Sequence, residues 1–159
     1  MKSVMGLALL ALLLGACAPD RGEGADAAEL PTQAVAGAQP APGERWYSQQ
    51  QLRSGQAVFA RHCAVCHGAQ AQGTVPDWRQ RLDDGSFPPP PLNGSAHAWH
   101  HPRPVLLQVI NDGGVALGGK MPGFADVLSD AEKLAAIAYF QSFWSEEIYA
   151  NWLQMGGNN

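Results

Sequence analysis

The chain has 159 residues, 18 of them glycine and 12 proline, with a formal charge of −4. That length allows one modest domain plus tails, and the glycine and proline content demands long loops or linkers. No basic run points to a nucleic-acid partner, and three cysteines are too few for a disulfide framework once their positions are considered.

Met1-Lys2 is a short basic start, followed by an uncharged apolar run from Val4 to Leu14 that is too short for a comfortable transmembrane helix. Small residues then lead to Cys17, so residues 1–16 read as a secretory signal peptide. Leu14-Gly15-Ala16-Cys17 also resembles the bacterial lipoprotein signal, in which the cysteine is lipidated and becomes the first mature residue. An exported thiol left free would be a reactive liability; the alternative is an ordinary signal peptide with a coincidental cysteine. From Ala18 to Gly43 there is no aromatic residue and almost no large apolar one, which is too little to fold. Residues 17–43 read as a lipid-anchored flexible tether, holding a domain about 30 Å from a membrane; the alternative is a pro-segment.

A folded domain is expected over residues 44–145. Ser48 to His62 reads as a helix, with Ser48 or Ser54 as its cap. Leu52, Gly55, Phe59 and His62/Cys63 recur at the spacing of one buried face. Gly55 weakens the helix but permits another helix to approach closely. Residues 68–87 read as a long loop with a helical turn around Trp78–Leu82, and the Pro88–Pro91 run forces extended geometry. Arg103–Asn111 is a second helix, with Pro104 tolerated in its first turn. It stops at Asp112-Gly113-Gly114, before a glycine-rich loop over residues 115–124. Ser129–Trp144 is the strongest helix, with Ser129 as N-cap and Glu132 completing a capping box. Residues 146–159 form a C-terminal extension with a short helix around Ile148, Trp152 and Leu153. No segment shows strand alternation.

The first helix runs into Cys63-Ala64-Val65-Cys66-His67, the pattern of a c-type haem attachment site. Residues i and i+3 of a helical turn share a face, so both sulfurs can form thioethers with the two vinyl groups of one porphyrin. His67 can then turn its ring toward the iron as proximal ligand. A redox CxxC would need a βαβ context, and a zinc site would need a further ligand pair; neither is found. For the sixth iron position, Met1 and Met5 lie in the leader and Met155 in the tail. Met121 lies between Gly118-Gly119-Lys120 and Pro122-Gly123, 54 residues after His67. A thioether there favours Fe(II) and suits electron transfer; the alternative is a core filler.

Residues 50–144 resemble the class I cytochromes c, small all-helical monohaem carriers. The resemblance rests on Gly55, Phe59 and Cys63; on Cys63, Cys66 and His67; on Pro90-Pro91-Leu92; on Met121-Pro122; and on Ile137-Ala138-Tyr139. It implies an all-α cytochrome c fold of about three to five helices around one covalent haem c. It implies that Gly55 and Phe59 pack near Tyr139, and that the Pro90 carbonyl, or that of Pro91, accepts the His67 Nδ1–H bond and raises ring basicity. It implies one-electron carriage with no substrate turned over. The loop of 22 residues between His67 and Pro90 and the C-terminal extension depart from the smallest members; both read as surface decoration, with a haem-edge cover or partner surface as the alternative.

His97-Ala98-Trp99-His100-His101 is a second cluster. A copper or zinc site is conceivable on helical spacing, but no thiol or carboxylate joins it and Pro102 interrupts. The favoured reading is a polar segment with Trp99 or a histidine reaching a haem propionate; Leu92 is expected beside the haem and Arg103 is a second propionate candidate. The remaining tryptophans read as packing. The rival function is a haem enzyme or a gas or redox sensor with a displaceable Met121. The expected partners are redox proteins: a membrane respiratory complex, a terminal oxidase or a periplasmic reductase. The expected location is the periplasmic face of a bacterial membrane; Ala18 after the anchor cysteine hints at the outer one.

Overall fold

A computed structural model describes residues 44–159; the expected signal peptide, Cys17 and the tether lie outside the described residues. Five α-helices form among the described residues: α1 Gln49–His62, α2 Ala64–His67, α3 Arg103–Asp112, α4 Asp130–Gln141 and α5 Glu146–Gln154. Two 3₁₀ turns, His97–His100 and Val115–Leu117, interrupt the loops. No strand occurs among the described residues, so the all-α expectation holds.

Of the two candidate caps for α1, Ser48 is used. Its hydroxyl accepts from the Gln51 amide and the Gln51 side chain returns to the Ser48 amide, which satisfies two otherwise orphaned donors. Ser129 and Glu132 close the same kind of box on α4. Among the described residues the most extensive helix pairing is the crossing of α1 and α4. A Cβ on Gly55 would lie 1.9 Å from the Ala135 carbonyl oxygen and 3.0 Å from Tyr139 Cβ, so only glycine lets the two backbones meet. One turn on, the Phe59 ring lies 5.2 Å from that of Tyr139. These are the contacts the family resemblance implied.

Three local expectations are corrected. Trp78–Leu82 forms no helix; a single turn closes there instead, the Gln80 amide donating to the Asp77 carbonyl at 3.3 Å. The run is too short and too polar to nucleate one. The last long helix stops at Gln141, not Trp144, because Ser142–Trp144 turn the chain so that Ser145 can cap α5. The C-terminal extension is not surface decoration. Trp152 and Tyr149 are 0% and 1% exposed and share one apolar cluster with Phe59, Ile137, Phe140 and Trp144. Burying two such rings is worth several kcal/mol.

The lead-in before α1 is fastened to the same region. The Trp46 amide donates to the Tyr149 hydroxyl at 3.0 Å, and Trp46 Nε1 donates to Gln141 Oε1 at 2.6 Å. Arg45 lies 4.1 Å over the Tyr149 ring and pairs with Glu146 at 2.5 Å. No helix among the described residues is long and apolar enough to cross a membrane.

Candidate functional site

The attachment motif sits where α1 ends. Cys63 closes α1, its amide bonding to the Phe59 carbonyl, and α2 carries Ala64 to His67 as one short turn. Both cysteines are free thiols, Cys63 partly buried and Cys66 exposed. Burial, with Cys66 beside it, pushes the Cys63 thiol up to about 11, so the site favours an uncharged sulfur there.

His67 is 7% exposed. Its Nδ1 lies 2.9 Å from the Pro90 carbonyl oxygen. That oxygen can only accept, so Nδ1 carries the proton and Nε2 is left as the ring's lone-pair donor. Burial lowers the affinity of His67 for a second proton, opposed by the Pro90 bond. A buried imidazole held neutral with one nitrogen fixed is in the state a metal ligand requires.

Pro90 is itself well supported. After Gly68 leaves α2 with φ +79°, the chain curls back, and the Gly73 amide bonds to the His67 carbonyl at 2.7 Å. Ala71, wholly buried and left-handed at φ 56°, accepts from the Leu92 amide at 2.7 Å and the Asn93 amide at 3.1 Å. Trp144 Nε1 donates to the Leu92 carbonyl at 2.7 Å. The proline run is therefore pinned on both sides of Leu92, whose side chain packs against the main cluster.

Met121 lies half-buried on a loop folded over the end of α3. The Gly114 amide donates to the Met121 carbonyl at 2.9 Å, and the Phe124 amide donates to the Ile110 carbonyl at 2.9 Å, closing the loop at both ends. Gly113 has φ +81°, and a Cβ there would stand 2.6 Å from the Met121 carbonyl oxygen. Glycine is needed on both counts.

The other predicted residues are placed as follows. The Trp99 ring packs against the main cluster and lies 3.9 Å from that of His100. Arg103 lies 4.5 Å over the Trp46 ring and donates to the Asn158 carbonyl at 3.2 Å, beside the C-terminal extension. The His97 and His101 rings lie 5.5 Å apart, although His101 is extended and outside the 3₁₀ turn, and His97 stacks on Trp78 at 4.7 Å. Among the described residues no group of three or more His, Cys, Asp or Glu is placed to hold a metal ion. Sequence reasoning missed the contacts of the 77–88 loop: Phe87 and Asp84 reach the Met121 loop, and Trp78 reaches His97. These pairings join irregular segments and leave no periodic signal.

The donor set fits haem c: two free thiols three residues apart and one buried imidazole with a fixed tautomer. Fold and site define a c-type cytochrome domain. Residues 50–140 match the model of the family described as cytochrome c oxidase, cbb3-type, subunit III, and the chain belongs to that family. Its cofactor is covalently bound haem c with iron, and its chemistry is haem-based electron transfer. Neither the curated proteins nor the solved structures yield a match.

Proposed function

We propose that the chain is a monohaem, class I one-electron carrier of a respiratory chain. In this reading Cys63 and Cys66 would form the thioethers, His67 and Met121 would ligate the iron, and Leu92 and Trp99 would border the haem. Cys17 carries the lipid that holds the domain at the periplasmic face of a membrane, where a tether raises its effective concentration near membrane-bound partners. The family description supports partners in a respiratory chain, a terminal oxidase first among them.

The observation that carries the reading is the 2.9 Å contact between His67 Nδ1 and the Pro90 carbonyl. When bound, haem supplies a one-electron Fe(III)/Fe(II) couple. The chain's own contribution is to hold that couple steady. Pro90 fixes the imidazole plane and makes Nε2 a stronger donor. The Met121 sulfur favours the reduced state. The backbone hydrogen bonds that close the Met121 loop and the pinned proline run resist movement of either ligand. Val65, 80% exposed, puts an apolar side chain at the surface between the two cysteines.

Two measurements test this. A mass spectrum of the membrane-extracted protein should show haem on the Cys63–His67 peptide and lipid on Cys17. The ferric protein should show the weak long-wavelength band of thioether–iron ligation, and Met121→Ala should abolish it while the covalent haem remains. A wild type without the band has an open or differently ligated iron, and the sensor or enzyme reading replaces the carrier.

A further inference from the structure

The long loop after the attachment motif ends on a stretch that touches the supports of both proposed ligands. The Phe87 amide donates to the Gly118 carbonyl at 2.8 Å, three residues before Met121. Three residues after Phe87, the Pro90 carbonyl accepts from His67. Between them lie only Pro88 and Pro89. A proline run has no internal hydrogen bonds to break and a fixed φ, so it behaves as a stiff rod of about 3 Å per residue.

The Phe87 end of that rod is well seated. Gly118 is left-handed at φ +83°, and a Cβ there would lie 3.4 Å from Phe87 Cδ2, so the aromatic ring covers the bare face of the glycine. The Arg81 guanidinium stacks 3.9 Å over the Phe87 ring and bonds to the Gly85 carbonyl at 2.5 Å. The preceding turn is closed by the Leu82 amide donating to the Ser86 carbonyl at 2.9 Å and by the Gly85 amide donating to the Leu82 carbonyl at 2.8 Å. Lys120, next to Met121, pairs with Asp84. Farther back, Trp78 stacks on His97 under Arg79. The Asp84–Lys120 pair is solvent-exposed and contributes little; the weight rests on Phe87.

We propose that Phe87–Pro90 is a rigid spacer that ties the Met121 loop to the Pro90–His67 contact, with Phe87 as its positioning residue, so that the Met121 loop stays closed and small neutral ligands would be kept from the iron of a bound haem. This deepens the ligand assignment above and rests on it. Loosening either the seat or the rod frees the Met121 loop without touching a ligand.

The test uses the full haem-loaded ferric protein, titrated with imidazole and followed by loss of the thioether band. Phe87→Ala and Pro89→Gly should each bind imidazole about tenfold more tightly, since a more populated open loop raises apparent affinity in proportion. Phe87→Tyr should restore the wild-type value, and Asp84→Asn should stay within about twofold. Native-state hydrogen exchange supplies the second readout. The Gly114, Gly118 and Gly119 amides, bonded to the Met121, Val115 and Gly114 carbonyls, should exchange faster in the first two variants, while Phe59 and Ala136 in the helix crossing do not change. Unaltered imidazole affinity with unaltered loop exchange overturns the proposal. So does a uniform rise in exchange, which would mark simple loss of stability. If the wild type lacks the thioether band, the Met121 assignment has failed, and the exchange data alone then decide whether the spacer holds the loop.

Discussion

Gly55→Ala isolates the contact on which the fold turns. Two effects oppose each other. Alanine is the better helix former by about 1 kcal/mol, and Gly55 is in the middle of α1, so propensity alone makes the variant more stable. The added Cβ, however, would stand 1.9 Å from the Ala135 oxygen and 2.6 Å from its carbonyl carbon. Both are backbone atoms inside α4 and cannot rotate away. The helices must part by more than about 1 Å to reach van der Waals distance, and a gap of that size forfeits a quarter to a half of the dispersion energy at each contact it opens. Val58, Phe59, Ala135 and Ala136, all below 10% exposure, line that crossing. Overpacking of this kind costs about 1–3 kcal/mol, and the lost contacts around Phe59 add to it, so a net destabilisation of about 2–4 kcal/mol is expected. Urea unfolding of the haem-loaded protein, read by far-ultraviolet circular dichroism, measures it. Ser54→Ala, exposed on the same helix, is the control and should be neutral or slightly stabilising. A Gly55→Ala protein as stable as wild type, or more so, would refute the close-approach argument.

Trp152→Ala should cost about 4 kcal/mol in the same assay, because it empties a fully buried site and leaves the His101 carbonyl without the Trp152 Nε1–H that reaches it at 2.9 Å; Trp152→Phe should cost clearly less, and equal losses would count against the packing account. Glu132 titrates below the usual carboxylate range because its carboxylate accepts from the Ser129 amide. A depressed folded value means the contribution is complete above the unfolded carboxylate range, about pH 4 to 5, and disappears as pH falls through the folded value. Wild type should therefore exceed Glu132→Gln in stability at neutral pH, and the two should converge in acid; parallel curves would exclude the cap as the cause.

The attachment motif was legible because Cys63, Cys66 and His67 lie within five residues, and the buried face of α1 because Gly55 and Phe59 keep helical spacing; the Pro90 acceptor, 23 residues from His67, and the contact with Tyr139 on α4 were implied by the family resemblance alone. The helix caps were readable at short range too, since Ser129 and Glu132 are three residues apart. The role of α5 was not. Tyr149 and Trp152 fill less than one full turn's worth of pattern, and what makes them core is the Trp144 ring 5.9 Å from Trp152, set by a turn at residues 142–144 that periodicity does not encode. The 77–88 loop was equally opaque. Phe87 meets Gly118 and Trp78 meets His97 across long sequence separations, with no regular element on the loop side to betray the pairing. Lys133 is the converse case, a charged residue 4% exposed on α4 and paired to Asp130 at 3.1 Å, invisible to a reading that leaves lysine at the surface.

The knot of Arg45, Trp46, Tyr149 and Gln141 has a mechanical consequence. α1 leads without a break into the turn that bears both cysteines, so tension transmitted along it would unwind the very backbone that fixes the attachment geometry. A pull applied at residue 44 first meets the two Trp46 hydrogen bonds and the stacked, ion-paired Arg45. These bonds share the load in parallel and pass it to α4 and α5. The lead-in thus acts as a strain relief, and the cysteine-bearing turn behind it is shielded from force on the chain that precedes it.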